Sequence, residues 1–139
     1  MGRPGRRWPV AADRILVVDD NSANRMLAQA VLEGVGHEVH GVPDAEEALA
    51  AVASLHPALI LMDIQLPGID GLELTRRLKA DPATKDIVIL ATTAYAMPGD
   101  ELKAIEAGCD GYMTKPIDIH ELREVVARRL DLVRDHAGS

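Results

Sequence analysis

Three short aliphatic runs, "ILVV" at residues 15–18, "ALILM" at 58–62 and "IVILA" at 87–91, limit what this chain can become more than any other feature. None alternates apolar with polar, so each must be covered on both faces, as a central strand of a parallel sheet is. Parallel strands need long crossovers, usually helical. Helical patterns fill the intervals: Leu27, Ala30, Val31 and Val35 share one face, Leu49, Val52 and Leu55 a second, Leu74 and Leu78 a third, and Leu122, Val126, Leu130 and Val133 a fourth. Residues 99–107 form the weakest pattern, with Leu102 and Ile105 as the only large apolar residues, and are expected to be the most mobile helix. Glu38–Val42 and Gly111–Thr114 read as flanking strands. The expected fold is α/β, a (βα)5 doubly wound five-stranded parallel sheet in the order 2-1-3-4-5.

Three helices open on one device: Asp44 with Glu47, Asp70 with Glu73, and Asp118 with Glu121. In each, the Asp accepts from exposed amides and the Glu can reach back, as in a capping box. The chain has 139 residues, enough for one domain. It divides into a basic arm over residues 1–13, the domain proper over 14–132, and a tail over 133–139. The core must be aliphatic, because the chain holds no Phe, one Trp (Trp8, in the arm) and two Tyr. A single buried aromatic could then be a moving part.

Charge excludes several classes. The first twelve residues hold three arginines and no acid, so setting them aside takes the net charge from −7 to −10. Nucleic-acid binding needs basic surface, which this balance opposes. No run approaches the roughly 18 apolar residues of a membrane span. The start "MGRPGRRWPV" lacks the apolar stretch of a secretory signal. One cysteine, Cys109, excludes an internal disulfide and suits a reducing cytoplasm. His37 and His40 show no metal-ligand spacing and read as surface residues.

The chemistry gathers at the strand ends. The first strand ends "VVDDN", giving Asp19 and Asp20, and the third ends on Asp63, in "LILMDIQLPGIDG". Open α/β sheets bind ligands beyond the carboxyl ends of their strands, where strand order reverses. Strands one and three are neighbours there, roughly 5 Å apart. Two unit charges at about 5 Å repel by roughly 3 kcal/mol at an effective dielectric near 20. Such a cluster must take up a proton or a cation, and oxygen donors of this type suit Mg2+. The blander assignment has Asp19 and Asp20 capping the next helix, with Ser22 and Asn24 helping. The fourth strand brings Thr92 and Thr93 to the same edge, and the fifth brings Lys115, in "YMTKP".

With five separate pieces in agreement, the chain resembles the receiver domains of two-component response regulators. The pieces are the acid pair, "LMDIQLPGIDG", the threonine of "TTA", the lysine of "TKP", and the aromatic three residues before it. The resemblance covers residues 14–132. The wording of "MDIQLPGIDGLELTRRLK" and "TTAYAM" is similar to single-domain cell-cycle regulators of the DivK type, and receivers of hybrid histidine kinases share much of it.

That resemblance implies roles. Asp63 would accept a phosphoryl group from a partner's phosphohistidine, the partner being a histidine kinase or histidine phosphotransfer protein. Asp20, Asp63 and the backbone carbonyl of Gln65 would ligate Mg2+ (or Mn2+), with Asp19 acting directly or through water. Lys115 would hold a phosphoryl oxygen, and Lys115-Pro116 would be cis. Thr93, 30 residues after Asp63 and 22 before Lys115, falls at the switch position, with Tyr112 as the aromatic switch. The signal would leave through the surface of the fourth helix, fifth strand and fifth helix, toward a downstream effector protein. Gln65 and Tyr95 would set timing or merely face solvent. Such a chain modifies itself and is no turnover enzyme.

Rival classes fit less well. A nucleotide or flavin site needs glycine-rich backbone at the first turn, which here is the acidic "DDNSAN". A haloacid-type phosphatase puts its nucleophile on the first strand with a second acid two residues on, whereas Asp19 and Asp20 are adjacent. A receiver piece of a larger regulator and a receiver-like scaffold that is never phosphorylated stay open.

Overall fold

A computed structural model describes residues 14–66, 68, 70–94 and 97–138, with side chains through residue 131. The elements alternate without exception: β1 Arg14–Val18, α1 Ser22–Glu33, β2 Glu38–Val42, α2 Ala45–Leu55, β3 Leu59–Asp63, α3 Gly71–Ala80, β4 Val88–Thr93, α4 Asp100–Ala107, β5 Gly111–Thr114 and α5 Ile119–Gly138. The sheet runs β2-β1-β3-β4-β5 with every pairing parallel, as expected. Helix α5 continues through Gly138, over most of the segment read as a tail. The arm with Trp8 lies outside the described residues.

Strand residues divide by parity. Leu16, Val18, Ile60, Met62, Ile89 and Ala91 face a core closed by α2, α3 and α4. Ile15, Val17, Leu59, Leu61, Val88 and Leu90 face one closed by α1 and α5. This is why the runs do not alternate: both faces of β1, β3 and β4 are dry. The three Asp caps form, with Asp44, Asp70 and Asp118 each accepting from the amide three residues on at 2.8–2.9 Å. Glu73 spends its carboxylate on Arg76 and Arg77.

Several helical faces are rotated from those expected. In α1 the buried residues are Ala28, Val31 and Leu32, while Leu27, Ala30 and Val35 are exposed. Apolar residues nearly encircle this helix, so polar contacts set its rotation. Arg25 Nη1 donates to the Asp19 carbonyl at 2.7 Å, and Gln29 Nε2 to that of Val39 at 3.3 Å. In α2, Ala45, Ala48 and Val52 are buried, Leu55 is half-buried and Leu49 lies outward. In α4 only Ala104 and Ala107 are buried; Leu102 and Ile105 face solvent. Small residues allow this thin helix to approach the sheet closely. Leu74 and Leu78 of α3, and Leu122, Val126 and Leu130 of α5, are buried as their spacing predicts.

At the opposite end of the sheet from the strand-end acids, Lys79 of α3 makes a clamp. Its ammonium donates to the carbonyls of Lys85 and Ile87 and to Asp110 Oδ2, at 3.1, 2.7 and 2.9 Å. The same Asp110 oxygen accepts from the Ile89 amide at 2.8 Å. Cys109 beside it is buried and its thiol pKa is pushed up, chiefly by desolvation, which suits a packed and unreactive sulfur.

Candidate functional site: an acidic cluster at the strand ends

Parallel register brings the predicted residues together. Val18 pairs with Met62 and Asp63 with Thr92, so the residues ending β1 and β3 meet beside β4. One carboxylate oxygen from each of Asp19, Asp20 and Asp63 lies within 4.8 Å of the others. Asp19 and Asp63 are buried, and Asp20 is exposed. Lys115 reaches over from beyond β5, its Nζ 2.8 Å from Asp19 Oδ2 and 3.1 Å from Asp63 Oδ2. The other oxygens of the buried pair bind local amides: Asp19 Oδ1 accepts from Asn21 N at 2.9 Å and Asp63 Oδ1 from Gln65 N at 2.8 Å.

The capping explanation of the acid pair fails. Asn21 is the N-cap of α1, accepting from the Asn24 amide at 3.0 Å. Asp20 therefore faces the cluster without a capping duty. Its position one residue before an Asn that could cap was the available signal.

Electrostatics in the cluster is asymmetric. Burial pushes the Asp63 carboxyl above its ordinary range; the Gln65 amide and Lys115 pull against this, and Asp19 adds to it. For Lys115, burial works against the charge, but the hydrogen bonds and charges of Asp19 and Asp63 outweigh it and raise its pKa. A salt-bridged lysine stays cationic, yet its partner Asp63 is still an uncomfortable anion. Three carboxylates and one ammonium leave a formal −2.

The remaining residues surround this centre. Thr93 is fully buried at the end of β4, and its carbonyl accepts from the Lys115 amide at 2.8 Å. The Thr92 hydroxyl donates to the Met62 carbonyl at 3.4 Å. Tyr112 is half-buried on β5, opposite Ala91 and packed against the α2, α3 and α4 side of the core. The Gln65 side chain bridges two loops, its Oε1 accepting from the Ala94 amide at 3.2 Å. Tyr95, the other timing candidate, lies outside the described residues. The Lys115-Pro116 peptide is cis. Gly71 is a positional requirement that spacing did not reveal: a Cβ there would stand 2.3 Å from the Asp63 carbonyl oxygen and 2.7 Å from Ile64 Cα. The start of α3 thus lies directly against the backbone that carries Asp63.

Residues 15–127 match the family model of the response regulator receiver domain. The chain belongs to the response regulator receiver family. Among curated relatives, the polar-differentiation response regulator DivK of Brucella ovis is 40% identical over 112 residues, covering 81% of this chain and 91% of that protein. Among solved structures, a CheY-like receiver domain protein from Methanospirillum hungatei matches with TM-score 0.83 and 31% identity, over 89% of this chain and 98% of the other. The signal receiver domain of a histidine kinase from Syntrophus aciditrophicus matches with TM-score 0.81 and 30% identity, over 87% and 92%. This receiver is thus similar to a DivK regulator and also to a receiver carried by a kinase. No helix among its described residues is long and apolar enough to cross a membrane.

Proposed function

We propose that Asp63 is the phosphoacceptor of this receiver, taking a phosphoryl group from the phosphohistidine of a histidine kinase or histidine phosphotransfer protein. In that step the P–N bond to the donor imidazole breaks and a P–O bond to an Asp63 carboxylate oxygen forms. The observation that carries this reading is the placement of Asp63. It is a buried carboxylate held at both oxygens, with a lysine 3.1 Å away and two further acids around it. Phosphoryl transfer is governed by positioning and by positive groups around the phosphoryl oxygens. Lys115 is the fixed cation available for that task, and it exchanges its carboxylate contacts for a phosphoryl oxygen.

The donor set fits a divalent cation. One carboxylate oxygen from each of Asp19, Asp20 and Asp63 lies within 4.8 Å of the others, and hard oxygen donors of this kind are what Mg2+ takes. The cluster's formal −2 matches the ion's charge. Asp20 and Asp63, with the Gln65 carbonyl, would hold Mg2+ (or Mn2+), and Asp19 would join directly or through water. When bound, the ion offsets charge on the phosphoryl group. Output then runs through Thr93 and Tyr112. The Thr93 hydroxyl turns toward the phosphoryl group, and Tyr112 fills the space behind it, reshaping the surface of α4, β5 and α5 for a downstream effector protein. The receiver unit is residues 14–132, and the buried free thiol of Cys109 suits a cytoplasmic setting.

The test is to incubate the chain with Mg2+ and a phosphorylated histidine kinase or a small acyl phosphate, then map the label by mass spectrometry. The label should sit on Asp63 and vanish in Asp63→Asn. Full labelling of that variant, or label on a histidine, overturns the reading.

A further inference from the structure

Helix α4 is turned inside out. Its alanines face the core, Ala104 at 0% and Ala107 at 4% exposure, while Leu102 and Ile105 stand 59% and 58% exposed. Met97, just before the helix, is 64% exposed. A soluble helix normally buries its large apolar residues, and clustered exposed ones mark interaction sites. What surrounds this stripe tells what it fits. At about 100° per residue, Leu102 and Ile105 lie about 60° apart and form a one-turn ridge. Glu101 lies about 40° beyond Ile105, and Glu106 about 40° beyond Leu102 on the other side. Both are exposed. Lys103, the one cation of α4, is exposed about 100° from Leu102, beyond Glu106 on the same flank. Asp100 and Glu101 add negative charge along the Tyr112 side; after desolvation, they are the groups that push the Tyr112 hydroxyl pKa up.

We propose that this face receives an amphipathic helix of a partner protein, with an apolar stripe flanked on both sides by lysine or arginine. The proposal rests on the reading of α4 as part of the output surface, and specifies the partner's chemistry. An i, i+3 ridge packs into the groove of a facing helix. Acids on both flanks select cations on both flanks and repel a like surface. A second copy of this chain is disfavoured for that reason: α4 against α4 would set Glu101 and Glu106 among their own counterparts.

Three synthetic helices test it, sharing one Leu/Ile stripe and differing only in flanks of lysine, glutamine or glutamate. Anisotropy titrations are run on the full chain with and without beryllofluoride and Mg2+. The lysine-flanked helix should bind about tenfold more tightly than the glutamine-flanked one, with the margin shrinking as salt rises. Glu101→Lys with Glu106→Lys should invert the preference, and Leu102→Ser with Ile105→Ser should abolish binding of all three. Glu46→Lys with Glu47→Lys on α2, which makes the same change in net charge, should leave it unaltered. Equal loss in that control, no discrimination among flanks, or self-association abolished by Leu102→Ser would overturn the proposal. Beryllofluoride separates the two readings. Selective binding that ignores it leaves the partner chemistry standing and removes the switch. A beryllofluoride response at the site without flank selectivity does the reverse.

Discussion

Replacing Asp63 with Asn should make the protein more stable, although it removes the proposed chemistry. At an effective dielectric near 20, the Lys115 ammonium, 3.1 Å away, attracts the Asp63 carboxylate by about 5 kcal/mol. Asp19, with an oxygen within 4.8 Å, repels it by about 3.5 kcal/mol. Exposed Asp20 adds about 1 kcal/mol after solvent screening. The Coulomb balance is therefore close to even, and what remains is the cost of dehydrating a buried carboxylate, several kcal/mol before local hydrogen bonds offset it. Asn keeps the shape and can still accept from the Gln65 amide through its one carbonyl oxygen, while its NH2 group only donates and leaves the Lys115 ammonium to Asp19. Asp63→Asn should stabilise by about 1–2 kcal/mol at neutral pH without divalent cation. The sign carries a pH signature. Burial holds the folded carboxyl above its ordinary 3.8, so the folded chain binds the proton more tightly than the unfolded chain. The stability from that proton is fully present below the unfolded value and lost as pH rises through the folded one. The advantage of Asn should thus open across that window and close beneath it. Urea unfolding followed by circular dichroism, across pH and with m-values compared, measures it. Destabilisation by Asn at neutral pH, or a difference independent of pH, would refute the charge argument.

Mg2+ at about ten times its dissociation constant should stabilise the wild type by about 1.4 kcal/mol. Asp20→Ala should lose most of that gain in the same unfolding assay. Gly71→Ala should cost about 1–3 kcal/mol, because the new methyl meets only backbone, and should slow labelling from a small acyl phosphate. Lys79→Met strips the carbonyls of Lys85 and Ile87 and the Asp110 carboxylate of their shared donor, and should cost about 1–3 kcal/mol in thermal unfolding without changing Mg2+ affinity.

Topology and the acidic centre were legible because both follow from local wording. Aliphatic runs that do not alternate specify central parallel strands, and parallel strands gather their carboxyl ends at one edge, so Asp19, Asp20, Asp63, Thr93 and Lys115 had to converge. Helix rotation was less legible. In α1, apolar residues at 26, 27, 28, 30, 31 and 32 allow several faces, and the choice rests on Arg25 and Gln29 reaching carbonyls of β1 and β2. The Lys79–Asp110 clamp joins residues 31 apart. Nothing local in either segment announces it. Nothing in the wording around Gly71 singled it out; only the packing of α3 against Asp63 gives the reason for a missing side chain.

The places where simple rules fail divide into two groups with a physical connection. Buried carboxylates at the ends of β1 and β3 oppose stability, and a helix with Leu102 and Ile105 outward forgoes apolar burial of its own. A chain selected for stability alone would correct both; departures of this kind are expected where function imposes them. Between them stand the ends of β4 and β5, with Thr93 at the acidic edge and Tyr112 on the α4 side, joined by the Lys115 amide bonded to the Thr93 carbonyl. A charge change at Asp63 is felt first by Lys115, which is fixed to that strand pair by its own backbone. A phosphoryl group on Asp63, as proposed, would shift this equilibrium only by its differential contacts, typically about 1–3 kcal/mol. A thinly packed α4, held to the sheet by two alanines, is an element that so small a difference can move.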